Sequence, residues 1–547
     1  MGNKTVLYRF LFAVILIAGF VLRFVRLSDV PPGVNRDEAS IGVTAFSLLT
    51  TGKDEYGRVF PLSFQSFGDW KLPLYIYLTI PTVAAFGLNE FAVRFPSAFA
   101  GVATVALTFF LARELTGNKA VSLLSMAILS VSPWHMHLSR VESESNVAVL
   151  LTTAAILLLL MSFRGKPKLL PVSSVLFALT YFTYHGNHIF TTLIILVIAL
   201  LYGRTLRKNP FLPVSTAVFL ILSGFILVLT LSGADRTKIS GIGIFSDPMI
   251  VHTGIEQERT DHAIPQSLSA RLLHNRLLFG IEAIARNYIR SFSPEFLFIR
   301  GGTNRAHNIE NSGNMYLIEA PFLLLGIFSL FIARRKPWAA LILLWIAVSP
   351  AAASITKDAP HTNRMFAVYP MPAIVTALGL SYVVSLLPAS RRLRRLVIWG
   401  IALLYLVNIS VYLDRYFIHF PRNEAQFWGY GYKKLAEVTD SEPYSHVRTI
   451  ISHPEYSPYI FLLFYQKTDP ELFRQSVIRY APTDDNFVHV RSFGRFEFRD
   501  IDWNRDPDGK TLVVAVSHEV PGVIEGRYRE EFITLPDGTP RFTLVSF

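Results

Sequence analysis

The sequence predicts a polytopic α-helical membrane protein carrying a C-terminal extracytoplasmic α/β domain, and three observations predict it. Hydrophobic residues make up 51% of the 547 and charged residues only 17%, against about 25% charged in soluble proteins. So little charge cannot cover a soluble surface. The apolar residues also run in long blocks, such as Val149 to Met161, Phe211 to Leu231 and Leu396 to Leu413, as a bilayer core demands. After Leu413 the composition changes to a normally charged mixture.

Charge gives the orientation. The balance of 52 basic to 40 acidic residues, +12, would suggest nucleic-acid binding in a soluble protein. Here the basic residues gather between apolar blocks, at Arg164/Lys166/Lys168, Arg204/Arg207/Lys208, Arg334/Arg335/Lys336 and Arg391/Arg392/Arg394/Arg395. Such clusters mark cytoplasmic loops, and no nucleic-acid partner is expected. The chain has no cysteine, so disulfides, thiolate metal sites and Cys nucleophiles are excluded.

With those clusters inside, helices thread near 7–27, 92–113, 120–138, 146–163, 169–184, 189–203, 211–231, 315–333, 337–354, 365–387 and 396–413, about eleven spans at roughly 20 residues each. The first follows Lys4 and reads as a retained anchor. Residues 72–88 are apolar enough to span, but a crossing there would put every later basic cluster outside. Pro73 and Pro81 also disfavour a straight span, so this segment is assigned to the outer interface. The expected domains are a membrane domain, 1–413, with a first outer loop at 28–91, and a soluble domain, 414–547. The tail carries strand-like runs at Thr511 to Val516 and Phe542 to Phe547, a helix-like stretch at Asn423 to Glu437, and turn signals at Asp508-Gly509 and Pro536-Asp537-Gly538.

Ionisable residues at a membrane boundary are costly unless used or paired. The threading puts several on one face. Asn35-Arg36-Asp37-Glu38 follows the turn Pro31-Pro32-Gly33, and its acids also suit the first turn of a helix. Ser139-Arg140-Val141-Glu142-Ser143-Glu144 ends the third helix, with Arg140 and Glu144 at a pairing distance of four residues. Two carboxylate clusters at one interface suggest a polar active site or an oxygen-ligand site for a divalent cation such as Mg or Mn. Lys71 stands beside Trp70, and His361 and Arg364 offer an anion site with a forked guanidinium donor. His185 and His188 are candidate metal or positioning residues in a short loop. There is no Walker-type phosphate loop and no nucleophile elbow. The set suits a reaction between an anionic lipid headgroup and an acceptor outside the cytoplasm.

Three stretches carry a family resemblance: Arg36-Asp37-Glu38, Asp69-Trp70-Lys71-Leu72-Pro73-Leu74-Tyr75, and Phe86 through Ser97. They resemble the dolichyl-phosphate-mannose protein mannosyltransferase-like group (glycosyltransferase family 39) of the GT-C glycosyltransferases, which includes the aminoarabinose lipid A transferases. The likeness is strongest over residues 30–150. It implies a GT-C fold, a polyprenyl-phosphate sugar donor, a protein, lipid or glycan acceptor, and inverting transfer at the outer face of the plasma or inner membrane. It assigns Asp37 as the catalytic acid residue with Glu38 beside it, Lys71 to the lipid phosphate, and Glu144 to an acidic position after the third helix. His361 and Arg364 match a late-loop His/Arg pair, and Arg140 joins them as a candidate phosphate ligand. The lipid A branch has an arginine shortly after its Asp-Glu, where this chain has Ala39-Ser40.

In the resulting mechanism Asp37 takes the acceptor proton, and Lys71 and Arg364 stabilise the departing phosphate. Glu144 positions the acceptor, holds Asp37 through a shared network, or helps bind a metal; Glu142, His185 and His188 are left to metal binding or acceptor positioning. The readings from other classes are a transporter or lipid flippase, which would carry charges at helix centres and paired broken helices, and a membrane-anchored assembly protein acting through its tail.

Overall fold

Apolar runs become helices where the hydropathy places them, and prolines decide where they bend. The computed structural model describes residues 2–232, 243–245, 248–261, 264, 267–388, 390–483, 487–506, 508, 510–521 and 528–546. The first ten helices are α1 (Gly2–Phe24), α2 (Arg36–Thr51), α3 (Pro73–Phe86), α4 (Glu90–Thr116), α5 (Lys119–Val131), α6 (Pro133–Ser139), α7 (Glu144–Ser162), α8 (Leu169–Tyr181), α9 (Gly186–Leu206) and α10 (Leu212–Ser232). Among the described residues seven helices are long and apolar enough to cross a membrane. The number rises to nine if two bent pairs each make one crossing: α5 with α6, and Thr362–Val368 with Met371–Leu386, bent by 58° and 56°. Both breaks sit at prolines, Pro133 and Pro370, which remove a helical N–H and clash with the preceding turn. The expectation of eleven also takes in α8 and the helix Glu319–Ile332, of 13 and 14 residues, short of the roughly 20 a straight crossing needs.

The chain divides into two units, one of Met1–Arg23, Phe99–Ser139 and Ser143–Tyr412, the other of Phe24–Ala98, Arg140–Glu142 and Leu413–Phe547. Among the described residues the first is built of helices and the loops between them. Its core gathers Phe190, Ile194, Leu341, Trp345 and Ile374, and the Trp345 indole donates to the Ala367 carbonyl at 2.8 Å. Helices Glu319–Ile332 and Met371–Leu386 touch backbone to backbone at Gly326 and Gly379, where a Cβ would enter the main chain of Val375 and Phe322; small residues allow this close approach in membranes. Arg23, buried on α1, donates to the carbonyls of Gly19, Leu129 and Ser130 and bonds His135 and Ser139.

The second unit joins the first loop to the tail, so residues 414–547 do not stand apart from residues 24–98. Tyr459 donates to Glu55 at 2.9 Å, and Arg474 reaches Ser47 and the Asp54 carbonyl at 3.0 and 3.1 Å. Strands β1 (Phe64–Ser66) and β2 (Asp69–Lys71) form a hairpin with Phe64 opposite Lys71. Phe67 and Gly68 turn it, both at positive φ, as a two-residue hairpin loop requires. α3 begins on Pro73, holds Pro81 and runs only 14 residues, in keeping with a non-crossing segment. The tail builds a seven-stranded sheet of β3 (Arg448–Ile451), β4 (Ile478–Arg479), β5 (Val490–Phe493), β6 (Phe496–Phe498), β7 (Thr511–Val516), β8 (Arg529–Thr534) and β9 (Pro540–Ser546), in the order β4-β5-β6-β3-β7-β9-β8. β3 is parallel to both β6 and β7, and the other pairs are antiparallel. The expected strands at 511–516 and 542–547 are β7 and β9, apart from Phe547, which with Gly509 of the Asp508-Gly509 turn lies outside the described residues. The stretch 423–437 is a 3-10 turn followed by helix Tyr432–Asp440.

Candidate functional site

Asp37 owes its position to a helix cap. Asn35 accepts from the Glu38 amide at 2.9 Å while Glu38 accepts from the Asn35 amide at 3.3 Å, a reciprocal pair that fixes the start of α2. Asp37 lies between them in sequence with its side chain 53% exposed, and Lys71, whose side chain is only 7% exposed, meets its Oδ1 at 2.6 Å through the ammonium. The hairpin register delivers Lys71, and Ser40 of α2 bonds Ser66 of β1 at 2.5 Å. Arg36 lies over the Phe67 ring at 4.9 Å and the Phe487 ring at 5.8 Å.

Glu38, expected beside Asp37 as a catalytic group, occupies a different kind of place. It is fully buried and paired with the equally buried Arg94. Its oxygens accept from Arg94 Nε and Nη2, both at 2.9 Å, from the Asn35 amide, and from the Glu142 amide at 3.0 Å. Arg94 spends its remaining donors on the carbonyls of Leu27, Pro31 and Gly33. A carboxylate with four donors and a guanidinium with all five N–H groups engaged tie the start of α2 to the loop before it and to α4. Arg140, expected at the donor phosphate, is also buried. It donates to the carbonyls of Val30 and Arg26 at 3.0 and 3.3 Å and lies over Phe417 at 4.9 Å. It does not share a helix with Glu144, because α6 ends at Ser139 and α7 begins at Glu144. Glu142 touches this group through its backbone amide.

The first unit gathers a second set. Glu144 opens α7 behind the Ser143 cap. The Tyr184 phenol faces Arg364, Glu144 and Asp358, and burial raises its pKa. Arg364 donates to Thr356 at 2.7 Å and pairs with Asp358. His361 caps the helix Thr362–Met365 by accepting from the Arg364 amide at 3.3 Å, and its ring lies 5.2 Å from that of His307. Burial, aided by the nearby Arg364 charge, pushes its pKa down to about 3, so the ring is neutral at pH 7. A neutral imidazole acting as a cap supplies no cation to a phosphate, which leaves Arg364 as the cation of that late-loop pair.

His185 and His188 stand 5.5 Å apart, ring to ring, at 71°. His188 bonds the Tyr181 carbonyl at 2.9 Å and stacks on its ring. Among the described residues no group of three or more His, Asp or Glu is placed to hold a metal ion. The sequence reading missed Arg94, Tyr184 and Asp358. An arginine inside an apolar helix is a signal in itself; for Tyr184 and Asp358 no local pattern marks the role.

Residues 13–180 match the family model described as dolichyl-phosphate-mannose-protein mannosyltransferase. A stretch of 62 residues is 44% identical to an uncharacterized protein of Aquifex aeolicus; it covers 11% of this chain and only 12% of that protein's length. Among solved structures, ArnT from Cupriavidus metallidurans in the apo state is similar with a TM-score of 0.54 at 14% identity, over 99% of this chain and 97% of that one. The same protein bound to undecaprenyl phosphate gives 0.53 at 13%, over 100% and 98%. The oligosaccharyltransferase AglB from Archaeoglobus fulgidus, in complex with an inhibitory peptide and a dolichol-phosphate, gives 0.51 at 13%, over 99% and 74%. Fold and family match agree: the chain is a multi-pass membrane protein that shares the GT-C fold of these structures, and its residues 13–180 match the dolichyl-phosphate-mannose-protein mannosyltransferase model.

Proposed function

We propose that the protein is a membrane glycosyltransferase that moves a sugar from a polyprenyl-phosphate donor to an acceptor hydroxyl, with inversion, on the outer face of the cell membrane. The observation that carries this reading is the half-exposed Asp37 carboxylate held at 2.6 Å by the buried Lys71 ammonium, inside the stretch that matches the mannosyltransferase family. The similar structures solved with undecaprenyl phosphate and with dolichol-phosphate support the donor class.

The chemistry follows from the charges. The acceptor oxygen attacks the anomeric carbon from the face opposite the phosphate and gives its proton to Asp37. The bond from that carbon to the phosphate oxygen breaks, and its electron pair leaves with the polyprenyl phosphate. The leaving group needs cations rather than a general acid. Lys71 is drawn from Asp37 toward the growing phosphate charge, which frees the carboxylate for the proton. The Arg94–Glu38 pair keeps the start of α2 fixed throughout, the preorganisation a base needs.

A panel of polyprenyl-phosphate sugars incubated with purified protein tests the assignment. Release of polyprenyl phosphate with an inverted product anomer, read by NMR, supports it; a retained anomer removes the single-displacement mechanism.

A further inference from the structure

The second unit contains a cavity of about 530 Å³ that the mechanism above does not use, walled by the first loop, the start of α4 and tail residues 429–437, 465 and 532–534. Its charges are already matched. Lys433 stands 3.6 Å from Glu90, Lys434 3.5 Å from Glu437, and Asp29 3.9 Å from Arg26. The two lining lysines are thus each held by a carboxylate, and a phosphate headgroup would meet the lining acids Asp29, Glu90 and Glu437 beside them. Glu90 is only 7% exposed. Tyr465 faces it, with its pKa held up by burial and by that carboxylate, so its hydroxyl remains a donor.

The aromatic lining supplies the complementary half. Tyr430 is presented between Gly429 and Gly431, both at positive φ, a conformation glycine adopts without penalty. Phe532 adds a ring that is 54% exposed. Flat apolar faces beside paired carboxylates and ammonium groups offer hydroxyl acceptors, hydroxyl donors and a surface for C–H groups at one place. A neutral polyhydroxylated ring requires that combination; a lipid tail or an anion does not. The cavity also adjoins the reaction site by a short route. Glu90 lies one helical turn before Arg94, and Arg94 holds Glu38 and the Gly33 carbonyl at the start of α2.

We propose that this cavity binds a neutral saccharide unit and that the acceptor is therefore a glycan. The identification as acceptor rests on the transferase reading; the binding itself does not. The test is saturation-transfer NMR on the full-length protein in lipid nanodiscs, without sugar-based detergent, using maltose, lactose and chitobiose as probes and inorganic phosphate as the anionic control. At least one disaccharide should receive saturation and phosphate should not compete. Tyr430→Ala and Asp29→Asn, at half-buried and exposed positions, should each weaken binding by about tenfold, while Asp37→Asn should leave it unchanged. Binding unaffected by both cavity variants, no saturation of any disaccharide, or displacement by phosphate would overturn the inference. Because no donor is present, a failed transfer assay leaves this result intact, and a failed binding assay leaves the transferase reading intact.

Discussion

Asp37 and Glu38 are adjacent in sequence and opposite in environment, one half-exposed against Lys71 and the other fully buried against Arg94. Their substitutions therefore separate. Glu38→Gln leaves the Arg94 guanidinium buried against a neutral group, a loss of about 3–5 kcal/mol for a broken buried pair, visible as a lowered thermal midpoint in detergent. Asp37→Asn removes the half-exposed partner of the buried Lys71 and should lower that midpoint less than Glu38→Gln does. His361 sets a pH dependence. Its folded pKa of about 3 lies below the ordinary 6.5, so the ring is neutral in both states above pH 6.5 and its contribution is complete there. As pH falls through 6.5 toward 3, the unfolded chain takes up a proton that the folded chain refuses. Stability then drops by about 1.4 kcal/mol per pH unit. His361→Asn retains a capping side chain and should flatten the fall in thermal midpoint between pH 6.5 and 5; an unchanged slope would assign the fall to other groups. At this scale the sequence made Asp37 and Lys71 legible, because each sits in a short local pattern. It could not give Glu38 its role, since the partner Arg94 is 56 residues away.

α2 carries Asp37 and is seated by a glycine. A Cβ on Gly42 would stand 2.6 Å from Phe464 and 2.8 Å from Val93, so Gly42→Val should push α2 off its bed. The expected cost is about 1–3 kcal/mol of overpacking, with a larger loss of activity than Gly203→Ala, where a Cβ on α9 meets nothing within 4 Å. Equal activity in the two variants would mean that the seating of α2 does not matter to turnover. Helix positions were legible from hydropathy because the bilayer imposes a length on each apolar run. The bends at 133 and 370 were less so, although both prolines stood in plain sight, because apolar content continues through them. In the tail, β7 and the core of β9 could be read from their runs of Val and Phe. The placement of β3 between β6 and β7 could not, since parallel pairing of distant strands leaves no local mark.

The whole molecule joins a helical unit to one built from the first loop and the tail together, a division that composition alone placed at residue 413. The composition did show that the chain spans a membrane. The scarce charges sorted into basic clusters between helices and an acidic and basic set on the loops, and this sorting supplies the proposed orientation. A cysteine at Val59, 67% exposed, should react with an impermeant thiol reagent from outside intact cells, and one at Ser390 should react only after the membrane is opened. The reverse pattern would invert the topology. The central claim, that Asp37 is the base of a polyprenyl-phosphate-dependent sugar transfer, is tested most directly by comparing wild-type protein with Asp37→Asn in proteoliposomes supplied with the donor panel. The account predicts release of polyprenyl phosphate from at least one donor by the wild type and a rate lower by about 10²–10⁴-fold in the variant, with the variant still folded in the membrane. Release at the wild-type rate by Asp37→Asn would contradict it.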